Sequence, residues 1–260
     1  MSFRNAGTAF DHAANAYEDA RPGYPAELIG ELIRQAHLGS ESRILEIGPG
    51  TGQLTLPLAM HNSAITAIEL GANLAQIAAR RLSPYPKVKV ICGAFEAWNA
   101  AGRVFDLVVS AQALHWIDPF IGFLKIHQRL KSSGTLAVVY NLYRGCSDDV
   151  HQAIDSAYHQ HLPGPSDQGA NTRLADRVEQ TIELIRSSEC FSEPSMWQHA
   201  WTERYTTERY LKLLRTFSDH RTLEPRTRRR LHRAVRHAID AHGGQIERPL
   251  MATLFLSRPV

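Results

Sequence analysis

Cysteine is scarce in this sequence, and we find neither a membrane-spanning segment nor a secretory signal in it. Only three cysteines occur among its 260 residues, at Cys92, Cys146 and Cys190, and none belongs to a CxxC pair. This argues against a disulfide framework and a zinc site, so we predict no metal and a reducing, cytoplasmic location. No uncharged stretch reaches the roughly 18–20 apolar residues that cross a bilayer, so we expect no membrane span. Residues 1–24 lack the apolar core of a secretory signal.

The chain also lacks a strong excess of one charge. Its formal net charge is +3, and 43% of its residues are hydrophobic and 21% charged, as in ordinary soluble proteins. A protein that binds nucleic acid without sequence specificity usually carries a larger excess of positive charge, so we disfavour nucleic acid as a partner. The length suits one medium-sized α/β domain, as a monomer or a homodimer.

The first half of the chain alternates short apolar runs with segments of helical periodicity. The runs predict five strands, at residues 43–47, 65–70, 88–92, 105–110 and 134–140, and the segments between them predict helices at 72–82 and 119–131. Alternation of this kind with short connections predicts a parallel sheet that is covered by helices on both faces.

The second half does not keep this rhythm. A loop-like stretch at residues 162–171 separates two helical segments, strands are predicted at 197–205 and 250–256, and helices at 207–217 and 226–242. We therefore interpret this half as the completion of the sheet together with a helical cap.

The most informative segment runs from Ile44 to Gln53. A strand that contains Glu46 is followed at once by Gly48, Gly50 and Gly52, and then by a helix. Glycine suits a tight turn and lets a ligand approach the main chain, whose N–H groups are free at the start of a helix. The spacing is GxGxG and not the GxGxxG of dinucleotide-binding proteins, which disfavours a nicotinamide enzyme. A glycine-rich turn without a ligand is the alternative.

Glu69 ends the second predicted strand, about 20 residues after the glycines. A carboxylate in this place accepts hydrogen bonds from the ribose hydroxyls in nucleotide-binding sheets. The alternative is a surface acid that is stabilised by the dipole of the following helix.

In their order, these motifs resemble those of class I S-adenosylmethionine-dependent methyltransferases of the methyltransferase type 11 group. The resemblance rests on ILEIGPGTG, the acid of AIEL, GAFEAW and FDLVVSAQALHWID. The opening FDHAANAYEDARPGYP and the HWID block are similar to those of small-molecule methyltransferases such as trans-aconitate methyltransferase. SAQA stands where enzymes that methylate base or glutamine nitrogens have [DN]PPY.

The resemblance implies a Rossmann-like, seven-stranded and mostly parallel sheet with its last strand antiparallel, helices on both faces and a helical cap. It implies a division into a lid (1–35), a cofactor-binding half (36–141) and a cap that also completes the sheet (142–260). It also implies S-adenosylmethionine as cofactor, S-adenosylhomocysteine as product and a small-molecule acceptor that is methylated on a carboxylate or hydroxyl oxygen.

Site residues follow from the same resemblance, in three groups. The cofactor would contact Arg21, Glu46, Gly48, Pro49, Gly50, Gly52, Glu69, Leu70, Ala94, Phe95, Glu96, Ser110, Ala111 and Gln112. The substrate would contact Tyr17, Tyr24, His115, Trp116, Tyr140 and Arg144. The catalytic candidate is His115, although positioning alone can suffice for this chemistry.

Two of these residues also suggest roles by their chemistry. Arg21 precedes a turn that two prolines make rigid, so its guanidinium can clamp a carboxylate of cofactor or substrate, unless it pairs with a nearby acid. His115 can deprotonate a hydroxyl or amine acceptor, whereas a carboxylate acceptor needs no base. Packing of the loop is the alternative role of His115 and Trp116.

A basic run at residues 226–236 is the main competing signal. On a helix, its arginines fall mostly opposite an apolar stripe, so we predict a solvated face on a cap helix. The alternatives are an RNA methyltransferase that uses this face, or a module that binds S-adenosylmethionine without catalysis.

Overall fold

A seven-stranded mixed sheet forms the centre of the protein. The computed structural model describes residues 18–162 and 170–260, so Tyr17 lies outside the described residues. The sheet has the strand order β3-β2-β1-β4-β5-β7-β6. The strands are β1 (Arg43–Ile47), β2 (Ala64–Glu69), β3 (Val88–Cys92), β4 (Phe105–Ala111), β5 (Leu130–Tyr143), β6 (Ser195–Thr206) and β7 (Gln245–Ser257).

Nine helices accompany these strands in the described part of the chain. They are α1 (Ala26–Gln35), α2 (Thr55–Ala59), α3 (Ala72–Leu82), α4 (Pro119–Arg129), α5 (Asp149–His161), α6 (Ala170–Ser187), α7 (Thr207–Arg215), α8 (Ser218–Thr222) and α9 (Pro225–Ala241). Two single 3₁₀ turns, Phe95–Ala97 and Leu114–Trp116, follow β3 and β4. No helix in the described ranges is long and apolar enough to cross a membrane.

Strands β1 to β5 pair in parallel, as the alternating sequence predicts. Strand β7 is antiparallel to both of its neighbours, β5 and β6. In a parallel sheet the carboxyl ends of the strands meet at one edge, where ligands bind in open α/β folds. The ends of β1, β2 and β4 therefore bring the predicted cofactor residues to the same edge.

Two apolar cores cover the two faces of the sheet. On one face, Leu28 and Leu32 of α1 pack with residues of β1, β4 and β7. On the other, Phe123 of α4 and Ile185 of α6 pack with residues of β4 and β5. A third core joins α5, α7 and α9 and forms the base of the cap. Burial of these side chains supplies the main favourable free energy of folding.

The basic helix α9 has the amphipathic arrangement that its sequence predicts. Its buried residues are Leu231, Val235, Ala238 and Ile239. Arg226, Arg229, Arg230 and Arg233 are exposed, and Arg236 pairs with Glu208 at 2.5 Å. Because α9 lines none of the cavities described below, its arginine face supports no separate catalytic site.

Several predicted boundaries differ from the observed ones. The fourth strand extends to Ala111, one residue beyond its predicted end at Ser110. The helix predicted over residues 119–131 ends at Arg129, and β5 begins at Leu130 through a Lys-Ser-Ser-Gly stretch that was not predicted as strand. The last strand begins at Gln245 and not at Leu250.

Candidate functional site

The glycine-rich turn after β1 holds its main chain in conformations that suit glycine. Gly48 has a φ of +70°, and a Cβ at this position would lie 2.4 Å from the Cβ of Ala113. A side chain at position 48 would thus clash with the loop after β4 as well as strain the backbone. The turn lies directly against the segment that carries His115, and it leaves the space beside it open.

Glu69 joins the end of β2 to this turn. Its Oε2 accepts the N–H of Gly50 at 2.9 Å, and its Oε1 accepts the N–H of Gly71 at 2.8 Å. The carboxylate is buried at the cavity wall and is held by the main chain of both flanking segments. Such a group has a fixed orientation before any ligand arrives.

Glu46 has a carboxylate without a partner in the protein interior. The residue is fully buried, and neither carboxylate oxygen has a hydrogen-bond partner in the described part of the chain. Burial, with a smaller contribution from the charge of Glu69, raises the pKa of Glu46 to about 7. An unpartnered buried carboxylate is costly, and a ligand with a cationic or N–H donor group would remove that cost.

Arg21 lies at the entrance to the same region. Its Nε donates to the Oγ1 of Thr216 at 3.0 Å, and its Nη2 donates to the carbonyl oxygen of Thr216 at 3.2 Å. The guanidinium stands 4.8 Å from the ring centroid of Phe217. Helix α7 and its C-terminal turn thus position the arginine. The nearby acid Asp19 pairs with Lys212 at 2.8 Å.

Asn141 connects the segment of Arg21 to the sheet. Its Nδ2 donates to the carbonyl oxygen of Gly23 at 2.7 Å, and its Oδ1 accepts the indole N–H of Trp201 at 3.2 Å. Its own carbonyl oxygen accepts Nε2 of Gln112 at 2.8 Å. Gln112 has a φ of +58°, a strained value for a residue with a side chain. Asn141 was not among the predicted site residues.

His115, Trp116 and Tyr140 form an aromatic wall beside the end of β4. The rings of His115 and Trp116 lie 4.5 Å apart, and those of His115 and Tyr140 lie 6.3 Å apart. The buried Nδ1 of His115 has no hydrogen-bond partner among the described residues. Burial and the nearby charge of Arg177 lower the pKa of His115 to about 4, so the imidazole is neutral at pH 7.

Arg177 of α6 completes this wall from the cap side, and sequence reasoning missed it. Its guanidinium carbon lies 5.5 Å from the ring centroid of Tyr140. Within the described ranges, no carboxylate forms an ion pair with Arg177. A half-buried guanidinium without an acid partner is available to bind an anionic ligand. Its position on a polar surface helix gave no signal in the sequence.

These residues surround a cavity of about 290 Å³ at the carboxyl edge of the sheet, next to a smaller pocket on the Glu46 side. Predicted cofactor residues that line one or both are Arg21, Glu46, Gly48, Pro49, Gly50, Glu69, Leu70, Ala94, Phe95, Glu96, Ala111 and Gln112. Predicted substrate residues that do so are Tyr24, His115, Trp116 and Tyr140.

Three predicted residues do not line these cavities. Ser110 is buried, and its Oγ donates to the carbonyl oxygen of Ile47, because position 110 faces the sheet interior. Gly52 has a φ of +90° and lies against Leu82. Arg144 is exposed beyond the end of β5. Ser110 and Arg144 thus lie outside the lining of these two cavities, and their contact with a ligand stays a prediction.

A different cluster brings together three groups that can bind metals. Cys146, Asp148 and His151 present ligand atoms within 4.8 Å of one another. Asp148 is the N-cap of α5: it accepts the main-chain N–H of His151 at 2.9 Å and lies 2.6 Å from Nδ1 of the same residue. Helix capping explains this arrangement without a metal.

Comparison with known proteins relates the chain to methyltransferases. Residues 45–138 match the family model described as a methyltransferase domain. An uncharacterised methyltransferase of Mycobacterium tuberculosis is 31% identical over 140 residues, which are 54% of this chain and 55% of the relative. The chain thus spans about half the length of this relative.

Two further comparisons extend over more of the chain. A malonyl-[acyl-carrier protein] O-methyltransferase of Marinomonas sp. is 26% identical over 200 residues, covering 75% of this chain and 71% of that protein. The structure of a methyltransferase from Thiobacillus denitrificans in complex with S-adenosylhomocysteine covers 95% of this chain and 97% of its own, with a TM-score of 0.55 and 15% identity. At that identity the structural likeness shows the fold alone.

Proposed function

We propose that the chain is a class I S-adenosylmethionine-dependent methyltransferase and that it methylates a carboxylate oxygen of a small-molecule acceptor. The single observation that carries the choice of acceptor is Arg177, whose guanidinium lies at the cavity wall beside His115 and Tyr140 and has no acid partner within residues 18–162 and 170–260. A guanidinium binds a carboxylate through two parallel hydrogen bonds and so fixes its orientation.

The residues at the sheet edge fit the cofactor. The buried Glu46 carboxylate, which has no hydrogen-bond partner among the residues that the structure describes, suits the amino group of the methionine portion, while Glu69 suits the ribose hydroxyls. The turn at Gly48 lets a ligand approach the main chain closely, and Leu70 and Phe95 offer apolar surface for the adenine. When bound, S-adenosylmethionine supplies an electrophilic methyl group, which the acceptor oxygen takes while the electron pair of the broken S–C bond stays on sulfur.

The chain's own residues have two tasks in this reaction. Arg177 and the aromatic wall orient the acceptor oxygen, and the surrounding apolar side chains exclude water. Orientation of bound reactants can lower a barrier by about 7–11 kcal/mol, so an acid–base pair is not required.

The state of His115 supports a carboxylate over a hydroxyl acceptor. With a pKa of about 4, its imidazole is a weak base and cannot efficiently remove the proton of a hydroxyl group. A carboxylate has already lost its proton at pH 7. We therefore assign His115 to the wall that positions the acceptor.

The test compares methylation of butanoate and butan-1-ol by the wild-type protein, Arg177→Ala and Arg177→Lys. We expect methyl ester from butanoate only, and a decrease in kcat/KM of about 10–100-fold for Arg177→Ala, because one charged hydrogen-bonded contact is lost. Arg177→Lys should recover part of the activity, since it retains the charge without the planar fork.

Arg186→Ala is the matched control, because Arg186 lies on the same helix and pairs with Glu193 away from the cavity. Calorimetric titration with S-adenosylhomocysteine should give similar affinities for all these proteins. Methylation of the alcohol, or an unchanged kcat/KM for the acid in Arg177→Ala, contradicts the proposed acceptor.

A further inference from the structure

A second and larger cavity adjoins the first one on the side of α6. It has a volume of about 630 Å³ and opens to solvent between the start of α4 and the middle and C-terminal part of α6. His115, Ile117 and Arg177 line both cavities. The two cavities are therefore adjacent at Arg177, so the anionic end of a molecule held there would lie next to the second cavity.

The walls of the second cavity differ in chemistry from inside to outside. Its inner surface is apolar and consists of Leu114, Ile117, Pro119, Phe123 and Leu184. Leu114 and Phe123 are themselves part of the core on this face of the sheet, so this surface is rigid. The outer rim on α6 carries three exposed acids, Asp176, Glu179 and Glu183.

We propose that the second cavity binds the apolar chain of a monocarboxylic acid whose carboxylate is held at Arg177. The proposal rests on the proposed function, since it assigns the rest of the acceptor that this function methylates. Each buried methylene contributes about 0.8 kcal/mol to binding, so a longer chain gains affinity until it reaches the rim.

The acidic rim disfavours acceptors that carry a second negative charge. A dicarboxylic acid bound in the same way would carry its far carboxylate towards Asp176 and Glu179. Repulsion between like charges at short range disfavours this complex, whereas a neutral chain end is not affected. The site thus selects acids with one carboxylate and an apolar body.

The first experiment measures kcat/KM for butanoate and octanoate in the wild-type protein and in Gln180→Trp. Gln180 is an exposed residue of α6 that lines the second cavity and does not line the first, so the indole would fill the second cavity alone. We expect octanoate to exceed butanoate by at least about tenfold in the wild type, and Gln180→Trp to remove this preference while it leaves butanoate unchanged.

Ala175→Trp is the matched control, because Ala175 is exposed on the same helix and lines neither cavity. It should retain the preference for octanoate. Equal kcat/KM for the two acids in the wild type, or an equal effect of Gln180→Trp on both acids, overturns the proposal.

The second experiment measures binding directly, by saturation-transfer NMR of octanoate with the S-adenosylhomocysteine complex. One outcome supports the second cavity and refutes the proposed reaction: octanoate binds the wild type and Ala175→Trp, it binds Gln180→Trp at least about tenfold more weakly, and it is not methylated. If octanoate is methylated but Gln180→Trp binds it normally, the proposed function stands and the inference is wrong.

The rim is tested with octanedioate and the double variant Asp176→Asn/Glu179→Gln. We expect kcat/KM for octanedioate to rise by about fivefold relative to octanoate when the two charges are removed, and this gain to disappear at high salt. An unchanged ratio of the two acids would refute selection by the rim.

Discussion

The carboxylate of Glu69 accepts the backbone N–H of Gly50 at 2.9 Å, so the end of β2 and the turn after β1 are held together by one side chain. Its other oxygen accepts the N–H of Gly71 at the start of α3. Three segments of the sheet edge thus depend on one buried carboxylate. A ligand that donates to Glu69 meets an acceptor whose orientation is already fixed.

Glu69→Gln should weaken the binding of S-adenosylhomocysteine by about 10–100-fold, because the amide loses the charge that strengthens hydrogen bonds from the ribose. Calorimetric titration measures the affinity, and circular dichroism checks that the variant is folded. Glu41→Gln is the control, since the Glu41 side chain is 95% exposed and far from the site. An unchanged affinity would remove Glu69 from the ribose site.

Gly48→Ala should lower both the free energy of unfolding and the affinity for S-adenosylhomocysteine. The left-handed backbone at φ +70° costs about 1–2 kcal/mol for a residue with a Cβ, and the clash with Ala113 adds to this cost. Denaturant titration measures the first effect and calorimetry the second.

Two further variants separate the clash from the backbone strain. Gly48→Ala combined with Ala113→Gly removes the clash and should recover part of the loss. Gly23→Ala should be nearly neutral, because a Cβ there meets no atom within 4 Å. A single Gly48→Ala variant that is as stable as the wild type would contradict the close approach of the two loops.

His115→Phe should reduce kcat for a carboxylate acceptor by less than about tenfold, whereas loss of a general base costs about 10²–10⁴-fold. With a pKa of about 4, His115 is neutral from about pH 5 upwards, so kcat should show no inflection from this group between about pH 5.5 and pH 8. The measurement is a pH profile of kcat in both proteins. A wild-type inflection near pH 6.5 that disappears in His115→Phe would restore the role of base.

The pair formed by the buried His220 and the half-buried His232 should make the cap sensitive to acid. Nδ1 of His220 lies 3.0 Å from Nε2 of His232, and Nε2 of His220 lies 2.8 Å from the hydroxyl of Tyr158. Burial lowers the pKa of both histidines, that of His232 to about 4 with help from His220 and two nearby arginines.

The sign of the effect follows from the unfolded chain, in which histidine titrates at about pH 6.5. Below that pH the unfolded state takes up protons that the folded state does not, so the free energy of unfolding decreases as the pH falls from about 6.5 towards 4. Glu46, whose pKa is raised to about 7, acts in the opposite direction, so the test must compare variants.

His232→Gln should show a smaller loss of unfolding free energy between about pH 7.5 and pH 5 than the wild type, as measured by urea titration. His237→Gln is the matched control, because His237 is exposed on the same helix. Equal pH dependence in the wild type and His232→Gln would show that the histidine pair does not destabilise the cap in acid.

The sequence predicted the parallel half of the sheet well, because its strands are short apolar runs that end in turn residues. The helix over Ala72–Leu82 and the strand over Val88–Cys92 have the predicted bounds. Strand β7 was predicted too short because Glu247, Arg248 and Pro249 interrupt its apolar run. These residues pair with Thr202, Glu203 and Arg204 of β6, a long-range contact that no local pattern contains.

Most of the predicted cofactor residues line one cavity or the other for a similar reason, since they follow neighbouring strands at the same edge; their contacts with a cofactor stay a prediction. Two other residues of this region were not predicted. Arg177 and Asn141 reach the site only through the packing of α6 and the pairing of β5, and neither residue type is unusual at its place in the sequence. Ser110 does not line the cavities because its hydroxyl donates to the carbonyl oxygen of Ile47 in the neighbouring strand, a contact that no local pattern contains.

The position of β7 between β5 and β6 affects how the protein folds during its synthesis on the ribosome. Strand β6 is synthesised before β7 yet reaches the sheet only through it. We expect that, during synthesis, the parallel part of the sheet forms before β7 is available, so that both edges of β6 remain unpaired for a time. During this period chaperones or neighbouring chains can bind β6.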